Sequence, residues 1–346
     1  MVSIGILGAT GYVGIEITRL LAMHPEVEIG CVVSQSFAGK KISDVYPHLK
    51  GILDIECENL DINTIAKKAD IFITALSDGV SKDVIPALLD SGKRVIDHSG
   101  DFRYKSVEVY EKWYKTKHTM PQLLSKAVYG LPELYRDKIK SASLVANPGC
   151  YPTCSILGIA PLLKKGIIHT DNIIIDAASG VSGAGRKTDL PYQFCECTEN
   201  YKAYGVATHR HTSEIEQELS FIAEQPILIS FTPHLAPMKR GMLCTIYANL
   251  KEKYTTSELL SLYRDFYKDE YFIRILDEGK LPETKFVAGS NFIDIGLVVD
   301  SRLNRVIVLS SLDNLGKGAA GQAVQVLNIM CGFNENTGLT HPGLYF

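Results

Sequence analysis

The chain has no apolar run near the ~18 residues that a membrane-spanning helix needs, so a helical membrane protein is excluded. It carries 36 Lys and Arg against 39 Asp and Glu, and so lacks the basic excess of a nucleic-acid surface. Its 8 cysteines are dispersed, with no CxxC pair. That spacing points neither to zinc nor to a disulfide framework, and no metal is expected. There is no internal repeat and no low-complexity segment. The first residues enter an apolar strand without the charged region and cleavage site of a secretory signal, so a cytoplasmic location is expected. Neither a membrane nor a nucleic acid is expected as a partner.

What is present is a soluble globular composition, 46% hydrophobic and 22% charged. At 346 residues the chain exceeds one typical core, and two domains are expected. The centre of the chain is Asn147-Pro148-Gly149-Cys150-Tyr151-Pro152-Thr153. A short apolar strand precedes it and a dense apolar helix follows. Pro fixes φ and Gly permits φ > 0, so the pair predicts a sharp turn. Cys150 then falls in the first turn of the helix, where unpaired N–H groups and the helix dipole favour an anion. A thiol so placed is biased toward thiolate, the nucleophilic form.

Near the N-terminus, an apolar strand over 2–7 runs straight into Gly8-Ala9-Thr10-Gly11-Tyr12-Val13-Gly14 and then an apolar helical face. Strand, glycine loop and helix is the layout of a dinucleotide-binding unit. Gly8 makes the turn, Gly11 admits a pyrophosphate to the helix N-terminus, and Gly14 lets helix pack on sheet. The second strand, 27–33, ends in Ser34-Gln35-Ser36 with Lys40 and Lys41 behind. An acidic residue there would bind a ribose 2′-hydroxyl. Hydroxyls and cations suit a 2′-phosphate, so NADP(H) is expected rather than NAD(H). Strands and helices alternate through residue 146, predicting a Rossmann-type parallel sheet whose strand-end loops, with Ser77, Gly79 and Ser99, line a cofactor crevice. Arg103 suits either an anionic ligand or an ion pair with Asp97 or Asp101.

Beyond 150 the pattern changes. A Gly-rich stretch, 179–186, is expected to be a flexible loop that brings backbone donors to a substrate. His209-Arg210-His211 precedes Ser213 and Glu216, which fit a capping box. An extended lead-in would put both histidines on one side, and either could serve as general acid and base. Strands over 227–231, 242–249, 291–299 and 305–312 have no helix evident between the first two, predicting an α+β domain with a mixed sheet. The stretch from Asp313 through Gly316-Lys317-Gly318 opens a last helix.

Taken together, these motifs resemble the N-acetyl-γ-glutamyl-phosphate reductases, relatives of aspartate-semialdehyde dehydrogenase. The resemblance spans nearly the whole chain. It rests on residues 8–14, 147–153, 179–186, 209–217 and 314–322, with the Cys150 turn and the His-Arg-His run most diagnostic. It implies NADPH-dependent reduction of N-acetyl-γ-glutamyl phosphate through a thioester on Cys150, with His209 or His211 moving protons. It implies cofactor contacts from Gly8, Thr10, Gly11, Tyr12, Val13, Gly14, Ser34, Ser36, Ser77, Gly79, Ser182, Asn314, Lys317 and Gly318. Substrate contacts are implied for Arg103, Asn147, Ser179, Gly180 and Arg210. The expected domains are 1–147 plus 314–346 for NADP and 148–313 for catalysis and assembly into a dimer or tetramer. The rivals are a reductase of another acyl phosphate, aspartyl or N-acetyl-aminoadipyl, and a non-catalytic NADP-binding sensor. Ser77-Asp78 stands where the family often has Pro-His, so cofactor contacts there are expected from the backbone and not from the side chains.

The end of the second strand generates a test. kcat/KM should be higher with NADPH than with NADH, and equal or better use of NADH would contradict the reading of Ser34, Ser36 and the lysines behind them.

Overall fold

The structure, a computed structural model, describes residues 1–186 and 188–345. Met1–Pro148 and Ala319–Thr340 form one compact unit; Gly149–Gly318 and the tail from His341 form the other. The turn at 314–318 and the tail thus belong with the second unit, not the first as the sequence suggested. The tail is tied there by the Leu344 amide, which donates to the Ala288 carbonyl at 2.8 Å.

The first unit is built on a seven-stranded sheet. Its strands are β1 (Val2–Leu7), β2 (Val27–Val33), β3 (Cys57–Glu58), β4 (Ile71–Thr74), β5 (Arg94–Asp97), β6 (Val128–Tyr129) and β7 (Leu144–Ala146). Their order is β3-β2-β1-β4-β5-β7-β6, and every pairing is parallel. The central strands are continuous apolar runs, as a sheet covered on both faces requires. β3 and β6 escape the sequence reading, because two-residue strands leave no period to detect; the helix Pro132–Lys140 escapes it because it is kinked at Tyr135 and buries only Pro132 and Ile139. The last helix, Gly321–Cys331, packs in this unit against the helices Tyr12–Leu21 and Pro132–Lys140.

Two buried carboxyls organise the strand-end loops. Asp97 accepts hydrogen bonds from the hydroxyls of Thr74, Ser81 and Ser99, and burial pushes its pKa up. Asp101 accepts from the amides of Gly79 and Lys82. It thereby satisfies amides at the start of the helix Ser81–Asp90, which has no partner for them within the helix.

The second unit holds the mixed sheet. Its strands are β8 (Ile173–Gly180), β9 (Lys202–Ala203), β10 (Ile229–Ala236), β11 (Met242–Asn249), β12 (Ile273–Ile275), β13 (Ile293–Asp300) and β14 (Arg305–Leu312). The order is β12-β13-β14-β11-β8-β10-β9; β8 with β10 and β12 with β13 are parallel, the rest antiparallel. The helix Cys150–Lys164 is buried from Tyr151 to Leu163, which is why its sequence shows apolar density rather than a stripe.

Pro161 lies inside that helix and has no N–H to give Leu157 four residues back. The freed Leu157 carbonyl instead accepts from the Tyr267 hydroxyl at 2.6 Å, and the Gly158 carbonyl accepts from Tyr263 at 2.7 Å. Both tyrosines come from the helix Thr256–Phe266 and its C-terminal edge. Tyr267→Phe should therefore destabilise the protein by about 1–3 kcal/mol, the cost of a buried carbonyl without a partner. Denaturant unfolding measures this, and an unchanged midpoint would mean the carbonyl needs no substitute donor.

Candidate active site

Cys150 is the first residue of its helix, with Gly149 as N-cap and no side chain capping it. Gly149 has φ −68° and ψ 155°, a conformation open to any residue. The turn does not need glycine for positive φ, as the sequence suggested; it needs it for space. A Cβ on Gly149 would lie 2.4 Å from Nε2 of His211. The Gly149 amide donates to Oε1 of Glu214 at 2.9 Å, and Glu214 is fully buried. His211 and Glu214 are three apart on the helix His211–Ala223, hence on one face. One helical face thus holds both the backbone before the nucleophile and the imidazole beside it. On the other side, a Cβ on Gly318 would meet Cβ of Cys150 at 2.9 Å, so that glycine also makes room for the cysteine.

The histidines come together by a route the sequence misread. The helix begins at His211, and Arg210, its N-cap, is helical at φ −57°, ψ −34°. No extended lead-in exists, and Ser213 is not a cap. Its hydroxyl donates back to the Arg210 carbonyl at 3.0 Å, while Glu216 accepts the Ile229 amide. The rings of His209 and His211 are 4.8 Å apart. The two have different surroundings. His209 is packed by Tyr151, Tyr204 and Phe231, and its Nδ1 accepts the His211 amide at 3.2 Å. A backbone amide can only donate, so Nδ1 carries no proton. Burial, then the Arg210 charge, pushes the pKa of His209 down to about 4. It is neutral near pH 7, with its proton on Nε2.

These residues open onto a cavity of about 390 Å³, lined by Cys150, Tyr151, Ser179, Gly180, Gly183, Ala184, Pro191, Tyr192, Lys202, Tyr204, His209, Arg210, His211 and Leu235. Ser179, Gly180 and Arg210 line the same cavity as the cysteine. Tyr204 and Lys202 were missed, since a two-residue edge strand in an aperiodic segment gives no signal beyond its composition. The Tyr204 hydroxyl donates to that of Tyr151, which donates to the His234 carbonyl. Burial pushes both phenol pKa values up, so both stay protonated donors. The lining holds two cations and no carboxylate among the described residues, and no metal-binding cluster is found among them.

The stretch from 179 is not a flexible loop. Ser179 and Gly180 end β8, and the amides of Gly180, Val181 and Ser182 donate to Gly241, Met238 and Lys239. Those donors are spent in the fold. Ser182 accepts from Nδ2 of Asn314, whose Oδ1 accepts the Gly241 amide, so these two expected cofactor residues are tied to each other. Lys317 is fully buried, its Nζ 5.6 Å from the centre of the Phe272 ring, so it is a core cation and not a surface one.

The other expected cofactor residues lie in the first unit. Gly8 has φ +79°, and a Cβ there would strike the Ala75 carbonyl at 2.4 Å. On Gly14 a Cβ would strike the Gly8 carbonyl at 2.2 Å. The fold requires both glycines. It does not require Gly11, where a Cβ would meet only the Gly8 carbonyl at 3.5 Å. The helix Tyr12–Leu21 that Gly11 introduces, starting with Tyr12 and Val13, has neither a side-chain cap nor an acidic residue in its first turn. Its leading amides and the space over Gly11 fit a dinucleotide pyrophosphate. Ser34 is buried, bonded to Thr10 through their hydroxyls at 2.7 Å, while Ser36, Lys40 and Lys41 are exposed. Ser77 is exposed. The Gly79 amide is taken by Asp101, so the backbone donor expected there is spent. Arg103 is buried with Nε on the Asn147 carbonyl at 2.8 Å and Nη2 on the His98 carbonyl at 2.6 Å. It clamps two strand ends through their carbonyls, an alternative the sequence did not raise. Asn147 is fully buried, its Nδ2 on the Ala319 carbonyl at 3.2 Å.

Comparison with known proteins agrees with this layout. Residues 3–142 match the semialdehyde dehydrogenase NAD binding domain, and residues 150–314 match the semialdehyde dehydrogenase dimerisation domain. The N-acetyl-gamma-glutamyl-phosphate reductase of Acetivibrio thermocellus is 70% identical over 345 residues, covering 100% of both chains. That of Desulforamulus reducens is 54% identical over the same extent. In three dimensions the chain is similar to aspartate semialdehyde dehydrogenase II of Vibrio cholerae, with TM-score 0.74, 16% identity and coverage of 96% and 98%. It is also similar to the Candida albicans aspartate semialdehyde dehydrogenase solved with NADP, with TM-score 0.74, 18% identity and coverage of 97% and 99%. The glycine loop, the helix-opening cysteine, the two domain matches and the full-length relatives agree, and the chain belongs to the semialdehyde dehydrogenase family.

Proposed function

We propose that this protein is an NADPH-dependent N-acetyl-γ-glutamyl-phosphate reductase. It converts N-acetyl-γ-glutamyl phosphate to N-acetylglutamate semialdehyde and phosphate, a step of arginine biosynthesis. The observation that carries the reading is the composition of the Cys150 cavity: a thiol, two imidazoles and two cations, with no carboxylate among the described lining residues. A substrate with two anionic groups and no charged amine suits it. Aspartyl phosphate carries a free ammonium, for which this lining offers no partner. The name borne by relatives at 70% and 54% identity supports the same choice.

Cys150 attacks the acyl carbon; the bond to the phosphate oxygen breaks, and a thioester remains. The nicotinamide cofactor, when bound, supplies a hydride to the thioester carbon. The thiohemiacetal then collapses to aldehyde and thiolate. We assign the proton traffic to His211. It takes the thiol proton, passes it to the departing phosphate oxygen, and returns a solvent proton to the sulfur at the end. His209, with a pKa near 4 and its ring boxed by aromatics, is too weak a base for that work; it holds the His211 amide and fills the wall. Arg210 and Lys202 meet the substrate's negative charge. The first unit is the NADP-binding domain. The second carries catalysis and assembles the protein into a homo-oligomer in the cytoplasm; no helix among the described residues is long and apolar enough to cross a membrane.

The test is phosphate-dependent reduction of NADP⁺ with N-acetylglutamate semialdehyde, the reverse reaction. The wild type should turn over. Cys150→Ser should lose nearly all activity while still binding NADP(H), because a hydroxyl is a far weaker nucleophile. His211→Asn should lower kcat by about 10²–10⁴-fold, whereas His209→Asn should mainly lower the thermal midpoint. Activity retained in Cys150→Ser would refute the thioester, and a loss of kcat in His209→Asn but not His211→Asn would reverse the histidine roles.

A further inference from the structure

β9 is an edge strand paired antiparallel to β10, with Lys202 opposite Leu235 and Ala203 opposite His234. Side chains alternate across a strand. Lys202 and Tyr204 accordingly face the Cys150 cavity, as does Leu235. Tyr201 faces away, stacked on His234 at 5.1 Å between ring centres. Lys202 is half-buried. Its Nζ donates to the Pro191 carbonyl at 3.3 Å, and no carboxylate pairs with it among the described residues. Lysines are drawn under cover when they are paired. A half-buried ammonium, held by one neutral carbonyl and facing a cavity without acids, is built to meet an anion from outside the chain.

The reductase reading supplies two such anions on one substrate, the acyl phosphate and the α-carboxylate. The cavity supplies two cations, on different elements. Arg210 directly precedes His211, whose ring lies against Gly149 beside the nucleophile. The backbone of Arg210 therefore starts from the reacting end, where phosphate departs, and its side chain lines the same cavity. Lys202 is anchored separately, on the edge strand and the Pro191 carbonyl.

We infer that Lys202 binds the substrate's α-carboxylate and is the residue by which the site distinguishes N-acetylglutamyl substrates from analogues without that group. This rests on the reductase reading above. The discriminating probe is N-acetyl-γ-aminobutyraldehyde, the same aldehyde with the carboxylate replaced by hydrogen. Both aldehydes are assayed for phosphate-dependent NADP⁺ reduction with wild type, Lys202→Met and Lys202→Gln. The wild type should prefer the carboxylated aldehyde. Both variants should lose about 10–100-fold in kcat/KM on it, mostly through KM, as expected for loss of one charge-assisted contact. Their kcat/KM on the neutral aldehyde should be unchanged, and that activity also reports that they are folded. An unchanged preference, or an equal loss on both aldehydes, would overturn the assignment while leaving the reductase reading intact. No turnover of either aldehyde by wild type would overturn the reductase reading and this assignment with it.

Discussion

The active-site unit depends on how the backbone at Gly149 is held. Its amide donates to a fully buried carboxylate, Glu214. Its missing side chain leaves the space that the His211 ring occupies. A buried carboxyl group is costly unless its oxygens meet donors, and the Gly149 amide supplies one. The same contact fixes where the Cys150 helix starts. Because His211 and Glu214 are one turn apart, the distance between nucleophile and imidazole is set by a rigid helical face, not by two independent loops.

The surrounding fold keeps that junction in place. Tyr263 and Tyr267 repair the helix around Pro161, so the Cys150 helix stays continuous, buried from Tyr151 to Leu163. Asp313 is also fully buried; it pairs with Arg240 and accepts the amides of Leu315 and Gly316. The next turn is a π-helix, Gly316–Ala320, in which the Gly318 amide reaches back five residues to the Asp313 carbonyl. Such turns recur at functional sites, and this one puts Gly318 against Cys150.

Much of this was legible in the sequence. Pro-Gly-Cys ahead of an apolar run marked the nucleophile's helix, because local turn chemistry and hydrophobic density act on the same few residues. The glycine loop, the parallel alternation and the mixed second sheet were legible for the same reason. The rest was not, where distant residues decide the outcome. Ser213 and Glu216 have the spacing of a capping box, yet tertiary packing starts the helix at His211 and gives Glu216 to Ile229. Arg103 reads as either an anion binder or half of an ion pair, and nothing local announces that it also donates to two carbonyls at strand ends. Asn314 and Ser182 are 132 apart in sequence, and no local pattern announces that they hydrogen-bond to each other. Thr255 and Glu258 do form a capping box, because there the Thr-x-x-Glu spacing and the packing agree.

The central claim is that nucleophile and imidazole are coupled through the Gly149 contact. A double-mutant cycle between Gly149→Ala and His211→Asn, read as kcat of the reverse reaction, measures that coupling directly. A methyl on Gly149 must displace the His211 ring, so each single change should disable the same proton transfer. The double variant should then be little worse than either single one, a strongly non-additive result. Additive losses, or a Gly149→Ala enzyme with unchanged kcat, would contradict the coupling.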